Sequence, residues 1–93
     1  MPIDLASRVR KAADQVSCDL NGEVAILNLK STLYFGLGQV GATIWDALSE
    51  TKPAAELCQV VFDRYDVDEA RCRQDVLAFL GKLEQAGLVE VVG

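Results

Sequence analysis

The sequence predicts an α+β fold: a three-stranded antiparallel β-meander followed by a three-helix bundle. Three observations carry this. Apolar residues recur at every second position through residues 15–37, interrupted by an Asn21-Gly22 dipeptide. They recur at helical i, i+3, i+4 spacing through residues 38–86. The period changes inside the stretch 33–45, where Gly36, Gly38 and Gly41 cluster. Strands gathered first and helices after them point to segregated α+β architecture, not to alternating βαβ units.

The 93 residues are enough for one domain with a modest core. It divides into an N-terminal arm (1–14), a β-meander (15–37), and three helices with a short C-terminal extended segment (38–93). Hydrophobic residues make up 51% and charged residues 25%, the balance of a globular chain and not of a disordered one. No apolar run is long enough to span a bilayer, and the first residues lack a signal-peptide layout, so a cytoplasmic protein without a membrane partner is expected. Of the net charge of −5, none falls in residues 1–40, which hold four bases and four acids; residues 41–93 hold five bases and ten acids.

Residues 1–14 place Ile3, Leu5, Val9 and Ala13 at roughly helical spacing, with Arg8, Arg10 and Lys11 elsewhere, as in a short helix or a flexible arm. Val16, Cys18 and Leu20 then alternate with Ser17 and Asp19 up to Asn21-Gly22, a pair that tolerates the positive φ of a two-residue hairpin turn. Such a turn sets Leu20 opposite Glu23, Cys18 opposite Ala25 and Val16 opposite Leu27. A three-residue turn at Lys30-Ser31-Thr32 continues the pattern, with Leu27 opposite Phe35. Leu33, Phe35 and Leu37 then join the inward face with Leu27 and Leu29, and Val24, Ile26 and Tyr34 face outward. A second copy or the N-terminal arm is expected to cover those outward residues.

Gly38 is placed to cap a helix running to about Ser49 that buries Ile44, Trp45 and Leu48. Pro53 opens a second helix whose buried side is Leu57, Cys58, Val61, Phe62 and Tyr65. The third helix has the clearest terminal signals. Asp68 is its N-cap, Val67 and Cys72 make a hydrophobic staple, and Gly87 with Leu88 ends it as a Schellman motif. Cys72, Val76, Phe79, Leu80 and Leu83 form its stripe.

The residues do not assemble into a catalytic constellation, and no enzyme activity is expected. There is no histidine, and the three cysteines have no CxxC spacing, so they read as structural thiols without a metal. Asp63, Asp66, Asp68 and Glu69 lack the spacing and glycine of a calcium loop. Gly36, Gly38 and Gly41 fit neither a P-loop nor GxGxxG. Strands followed by helices also resemble a winged-helix arrangement, a fold that often binds DNA, but the helical half carries the whole negative excess and would repel phosphate. What remains is backbone: the strand 33–37 has no charge between Lys30 and Asp46, and an unprotected edge strand accepts another extended peptide unless a helix or the C-terminal segment covers it.

Several residue series together carry a family resemblance. Asn21-Gly22 is followed by Val24 to Leu29, then Tyr34-Phe35-Gly36-Leu37, Val40-Gly41, Ile44-Trp45 and Leu48. Asp75-Val76, Phe79-Leu80, Leu83 and Gly87-Leu88 complete the set. In order and separation this chain resembles the PqqD-like family, the precursor-recognition element of bacterial peptide-modification systems, over residues 15–90. The resemblance implies a winged-helix-like, non-enzymatic module without a cofactor. It would bind the leader segment of a ribosomally made precursor as a strand added to 33–37, and present it to modifying enzymes. Carried onto this sequence, the leader-binding residues are Leu33, Tyr34, Phe35 and Gly36 on the strand, with Asp75, Val76, Phe79, Leu80 and Leu83 on the third helix.

Tyr34 to Leu37 leading into Gly41 to Trp45, with Ser49-Glu50 after the first helix, is more similar to stand-alone proteins of lasso-peptide pathways than to the pyrroloquinoline-quinone pathway chaperone. That implies three partners: a precursor leader peptide, a cysteine-type leader peptidase and an ATP-dependent macrolactam synthetase. The protein itself would be a monomer or weak homodimer without nucleic acid.

Overall fold

The computed structural model describes residues 3–92. Among the described residues, six strands and three helices follow one another: β1 (Arg8–Lys11), β2 (Gln15–Leu20), β3 (Glu23–Asn28), β4 (Tyr34–Leu37), α1 (Gln39–Ala47), β5 (Lys52–Pro53), α2 (Ala54–Arg64), α3 (Glu69–Gln85) and β6 (Val89–Val92). They form two three-stranded antiparallel sheets, ordered β2-β3-β4 and β5-β1-β6. The second sheet replaces the helix or arm expected at the N-terminus. Residues 8–11 are too few for a stable helix but enough to be sandwiched between β5 and β6, where Val9 is fully buried.

The β2–β3 hairpin has the expected register, with Leu20 opposite Glu23 and Val16 opposite Leu27. Asn21 (φ 55°) and Gly22 (φ 87°) both take the left-handed conformation that a two-residue turn demands. The β3–β4 connection differs from expectation. Asn28 N–H donates to the Leu33 carbonyl, which makes the loop four residues long, and Leu27 faces Tyr34 while Ile26 faces Phe35. One residue of register moves every β4 side chain to the other face relative to β3. The inward set is therefore Val24, Ile26, Phe35 and Leu37, and the face carrying Val16, Cys18, Leu20 and Leu27 turns to solvent.

The cause lies in Asn28, a buried polar residue. Its Oδ1 accepts from the N–H groups of Lys30 and Ser31 (2.9 and 3.2 Å), closing an Asx turn, and its Nδ2 donates to the Ala86 carbonyl at 2.7 Å. Thr32, at φ 60°, completes the loop. The Ala86 bond joins the loop to the end of α3, where Gly87 N–H donates to Glu84 and Leu88 N–H to Leu83, the expected Schellman pattern.

The core lies between the inner face of β2-β3-β4 and the helices, with Ile26, Ile44, Trp45, Leu48, Leu57, Leu80 and Leu88 almost inaccessible. Lys11 of β1 lies over the Trp45 ring, its ammonium 4.6 Å from the ring centre. Burial holds its pKa below the ordinary lysine range, against the opposing pull of Asp46.

Asn28→Ala leaves part-buried backbone groups of the turn and of the α3 terminus without their Asn28 partners. It is expected to cost about 2–3 kcal/mol in urea unfolding. A loss below ~0.5 kcal/mol would show that the turn holds without this side chain.

Candidate functional site

β2 and β4 are the edges of their sheet, and β6 pairs with β1, not with β4. Among the described residues, no strand pairs with the outer edge of β4. Within β4 the direction of the main-chain groups follows from the ladder. Because the Leu33 carbonyl points to β3, and successive residues alternate, Phe35 and Leu37 also turn their groups to β3, whereas Tyr34 and Gly36 turn N–H and C=O outward. Of residues 33–36, where a ladder is expected, Tyr34 and Gly36 are thus the ones whose main-chain groups face away from β3. The Tyr34 side chain projects onto the solvent face and is 68% exposed. Leu33 is exposed, and Phe35 is partly buried toward the helices.

Beside this edge lies an apolar cavity of about 500 Å³ between α1, the end of α2 and α3. Of the helix residues expected at the site, Asp75, Val76 and Phe79 line it. Leu80 and Leu83 do not; both are buried in the core behind Val76. The floor is Val40, Gly41 and Ile44, with Val61 and Tyr65 closing one end. Val67, Cys72 and Arg71 continue the wall. These were not expected at the site, although the Val67–Cys72 staple pair and the Gly41, Ile44 helix face were readable as a joint apolar surface.

Gly41 joins the edge to the cavity. A Cβ at this position would lie 3.2 Å from Leu37 Cβ on one side and 3.2 Å from the Phe79 ring on the other. Absence of a side chain thus lets β4 and α3 approach α1 at a common point. The end wall is tied in place by hydroxyls: Thr43 Oγ1 and Tyr65 Oη are 2.9 Å apart, and both reach the Gln39 carbonyl at the start of α1.

Charge sits only at the mouth. Asp68 caps α3 by accepting from Arg71 N–H at 3.0 Å, and the Arg71 side chain lies 3.7 Å from Asp75 in an exposed pair of small energetic weight. Arg73 pairs with Glu69 one turn along. Cys72 donates its thiol to the Cys58 carbonyl at 3.6 Å, and burial pushes both thiols above the ordinary range. They are protonated at neutral pH and poor nucleophiles. Cys18, on the open face of β2, is exposed.

Gly41→Ala gains helix propensity of up to about 1 kcal/mol, but the Leu37 contact is anchored to backbone and cannot yield cheaply. A net loss of ~1 kcal/mol is expected in thermal or urea unfolding, whereas Gly36→Ala, with open space around it, should change stability by less than ~0.5 kcal/mol. Alkylation of the native protein followed by mass spectrometry should label Cys18 well before Cys58 or Cys72; equal rates would contradict the burial of the latter two.

The family model described as coenzyme PQQ synthesis protein D (PqqD) matches residues 23–89, a span that holds both the β4 edge and the cavity. No curated protein matches the chain. Among solved structures it is similar to TbiB1 in complex with the TbiA(beta) leader peptide, with 32% identity over 90% of this chain and 98% of that one, and a TM-score of 0.83. It shares its fold with a lasso peptide synthetase B1 complexed with the leader peptide, at 19% identity, 88% and 96% coverage and a TM-score of 0.73. With the family match spanning most of the sequence, and a relative about one-third identical over nearly all of it, this chain belongs to the PqqD family.

Proposed function

We propose that this protein is a non-catalytic adaptor that binds the leader segment of a ribosomally synthesised precursor peptide and presents it to modifying enzymes. The observation that carries the reading is the open edge of β4 lying against the α1–α3 cavity across Gly41. An extended leader would add as a strand, taking its main-chain hydrogen bonds from Tyr34 and Gly36. Leader side chains directed toward the helices would meet Phe35, Val76 and Phe79, with Asp75 and Arg71 at the polar rim. The ladder supplies affinity for any extended peptide, and the cavity selects among sequences. The leader peptide held by TbiB1 supports this reading.

The lasso-peptide setting is supported by Tyr34 to Leu37 leading into Gly41 to Trp45, and by the fold shared with lasso peptide synthetase B1. In that setting the bound precursor passes to a cysteine-type leader peptidase and to an ATP-dependent macrolactam synthetase. The adaptor contributes position and no bond-making: its buried thiols are protonated, and Asp75 at the cavity mouth lies in an exposed pair with Arg71.

Titration of a fluorescently labelled precursor leader should give saturable binding by anisotropy. Tyr34→Pro removes an N–H that points away from β3, so the fold is expected to survive while leader affinity falls at least ~10-fold, about 1.4 kcal/mol. A folded Tyr34→Pro protein with wild-type affinity would eliminate strand addition at this edge. Phe79→Asp places a charge in the cavity wall and should weaken binding by a similar factor or more without altering the β4 ladder.

A further inference from the structure

The outer edge of β2 is the longest strand edge that no other strand covers among the described residues. It ends the order β2-β3-β4, and Val16 to Leu20 are all exposed. Ser17 and Asp19 lie on the helix side of the sheet, opposite Ile26 and Val24, yet stay exposed, so the helices do not cover this strand. The direction of its main-chain groups follows from the hairpin. The two-residue turn makes Leu20–Glu23 a hydrogen-bonded pair, and alternation makes Cys18–Ala25 and Val16–Leu27 the next ones. Leu29 N–H, donating to the Asp14 carbonyl, keeps the same phase. Gln15, Ser17 and Asp19 therefore turn N–H and C=O away from β3. The strand has no proline, lysine or arginine to guard that edge.

We propose that this edge pairs antiparallel with the same edge of a second copy across a two-fold axis, in the register that sets Cys18 opposite Cys18. The two sheets then become one of six strands. Self-complementarity selects a second copy as the occupant: residues 16–20 read Val-Ser-Cys-Asp-Leu, apolar at both ends, polar at the second and fourth positions, with the cysteine at the centre. Two copies turned about that centre place Val16 against Leu20 on the outer face and Ser17 against Asp19 on the helix side, with about four main-chain hydrogen bonds from Ser17 and Asp19. The other two-fold registers in phase with the ladder are poorer. Centring on Ser17 sets Leu20 against Asp14, and centring on Asp19 opposes two carboxylates. In the chosen register Cys18 and its symmetry mate form a non-hydrogen-bonded pair, with Cα atoms about 4.5 Å apart and within disulfide reach. Both β4 edges stay free at the ends of the combined sheet, so pairing and leader capture do not compete.

The contact is small, so sedimentation is run on the whole chain at up to about 1 mM, with reductant present. Wild type should self-associate reversibly. Ser17→Pro removes an N–H that points away from β3, and should weaken association at least ~10-fold while the protein still unfolds cooperatively on heating. Ser17→Asp sets a carboxylate opposite Asp19 and should weaken it likewise; adding Asp19→Lys to Ser17→Asp should restore it, whether or not the proline variant folds. Diamide, which takes up the electrons and protons released as two thiols join, should crosslink wild type through Cys18 at least ~10-fold faster than Ser17→Pro, which keeps Cys18. A wild-type chain that stays monomeric at about 1 mM would overturn the proposal. Equal crosslinking of a folded Ser17→Pro would do the same, since it would report collision and not pairing. A double variant as weak as Ser17→Asp would rule out the register.

Discussion

The side chain of Asn28 makes three hydrogen bonds, two closing the β3–β4 turn and one to the carbonyl that ends α3, and much of the architecture depends on them. Each is worth about 1 kcal/mol net, but together they do more than stabilise. They set the length of the loop, the loop sets the register of β4 on β3, and the register decides which set of apolar residues enters the core. The same bonds fix the far end of α3 against the sheet, so the strand edge and the helix that flank the candidate site are tied together through one residue. Gly87 takes part: with φ 75° and a Cβ position 3.0 Å from Asn28 Nδ2, it is the place where the Schellman turn and the asparagine meet.

A second constraint keeps the site open. The C-terminal strand could in principle cover the β4 edge, but it is occupied by β1, with four aligned residues and the Arg10–Glu90 ion pair. The small β5-β1-β6 sheet thus holds residues 8–11 and 89–92 away from the β4 edge, with Lys11 over Trp45 joining it to α1. The result is a sheet with two free edges and an apolar outer face in a domain that otherwise buries its apolar residues well. Exposed features of that kind favour aggregation unless they are used, and here they border a single continuous region.

The chemistry of such a site is main-chain chemistry. On the proposed reading, Tyr34 and Gly36 offer alternating donors and acceptors that any extended peptide can match, and discrimination would fall to the shape and apolar lining of the cavity across Gly41. A site of that kind would leave no catalytic signature in the sequence, because its functional groups are ones that every residue carries.

Much of the local structure was legible from the chain by itself. Asn21-Gly22 required positive φ, and Asp68, Val67, Cys72, Gly87 and Leu88 marked both ends of α3, because caps and tight turns are decided by short-range hydrogen bonds. Strand β4 was legible too, and the family resemblance placed Asp75, Val76 and Phe79 near it; in the structure these three line the α1–α3 cavity. Three things were decided by tertiary structure. The strand at residues 8–11 exists only because β5 and β6 flank it; alone, its spacing reads as a weak helix. The inner face of the meander was misread because Val16, Cys18, Leu20 and Leu27 are as apolar as Val24 and Ile26. Period-2 alternation cannot say which side faces the helices when both sides are apolar, and a buried asparagine 58 residues from its partner settled it. Finally, Leu80 and Leu83 share a helical stripe with Val76 and Phe79, and only the packing of α3 against its neighbours divides that stripe into core and cavity wall.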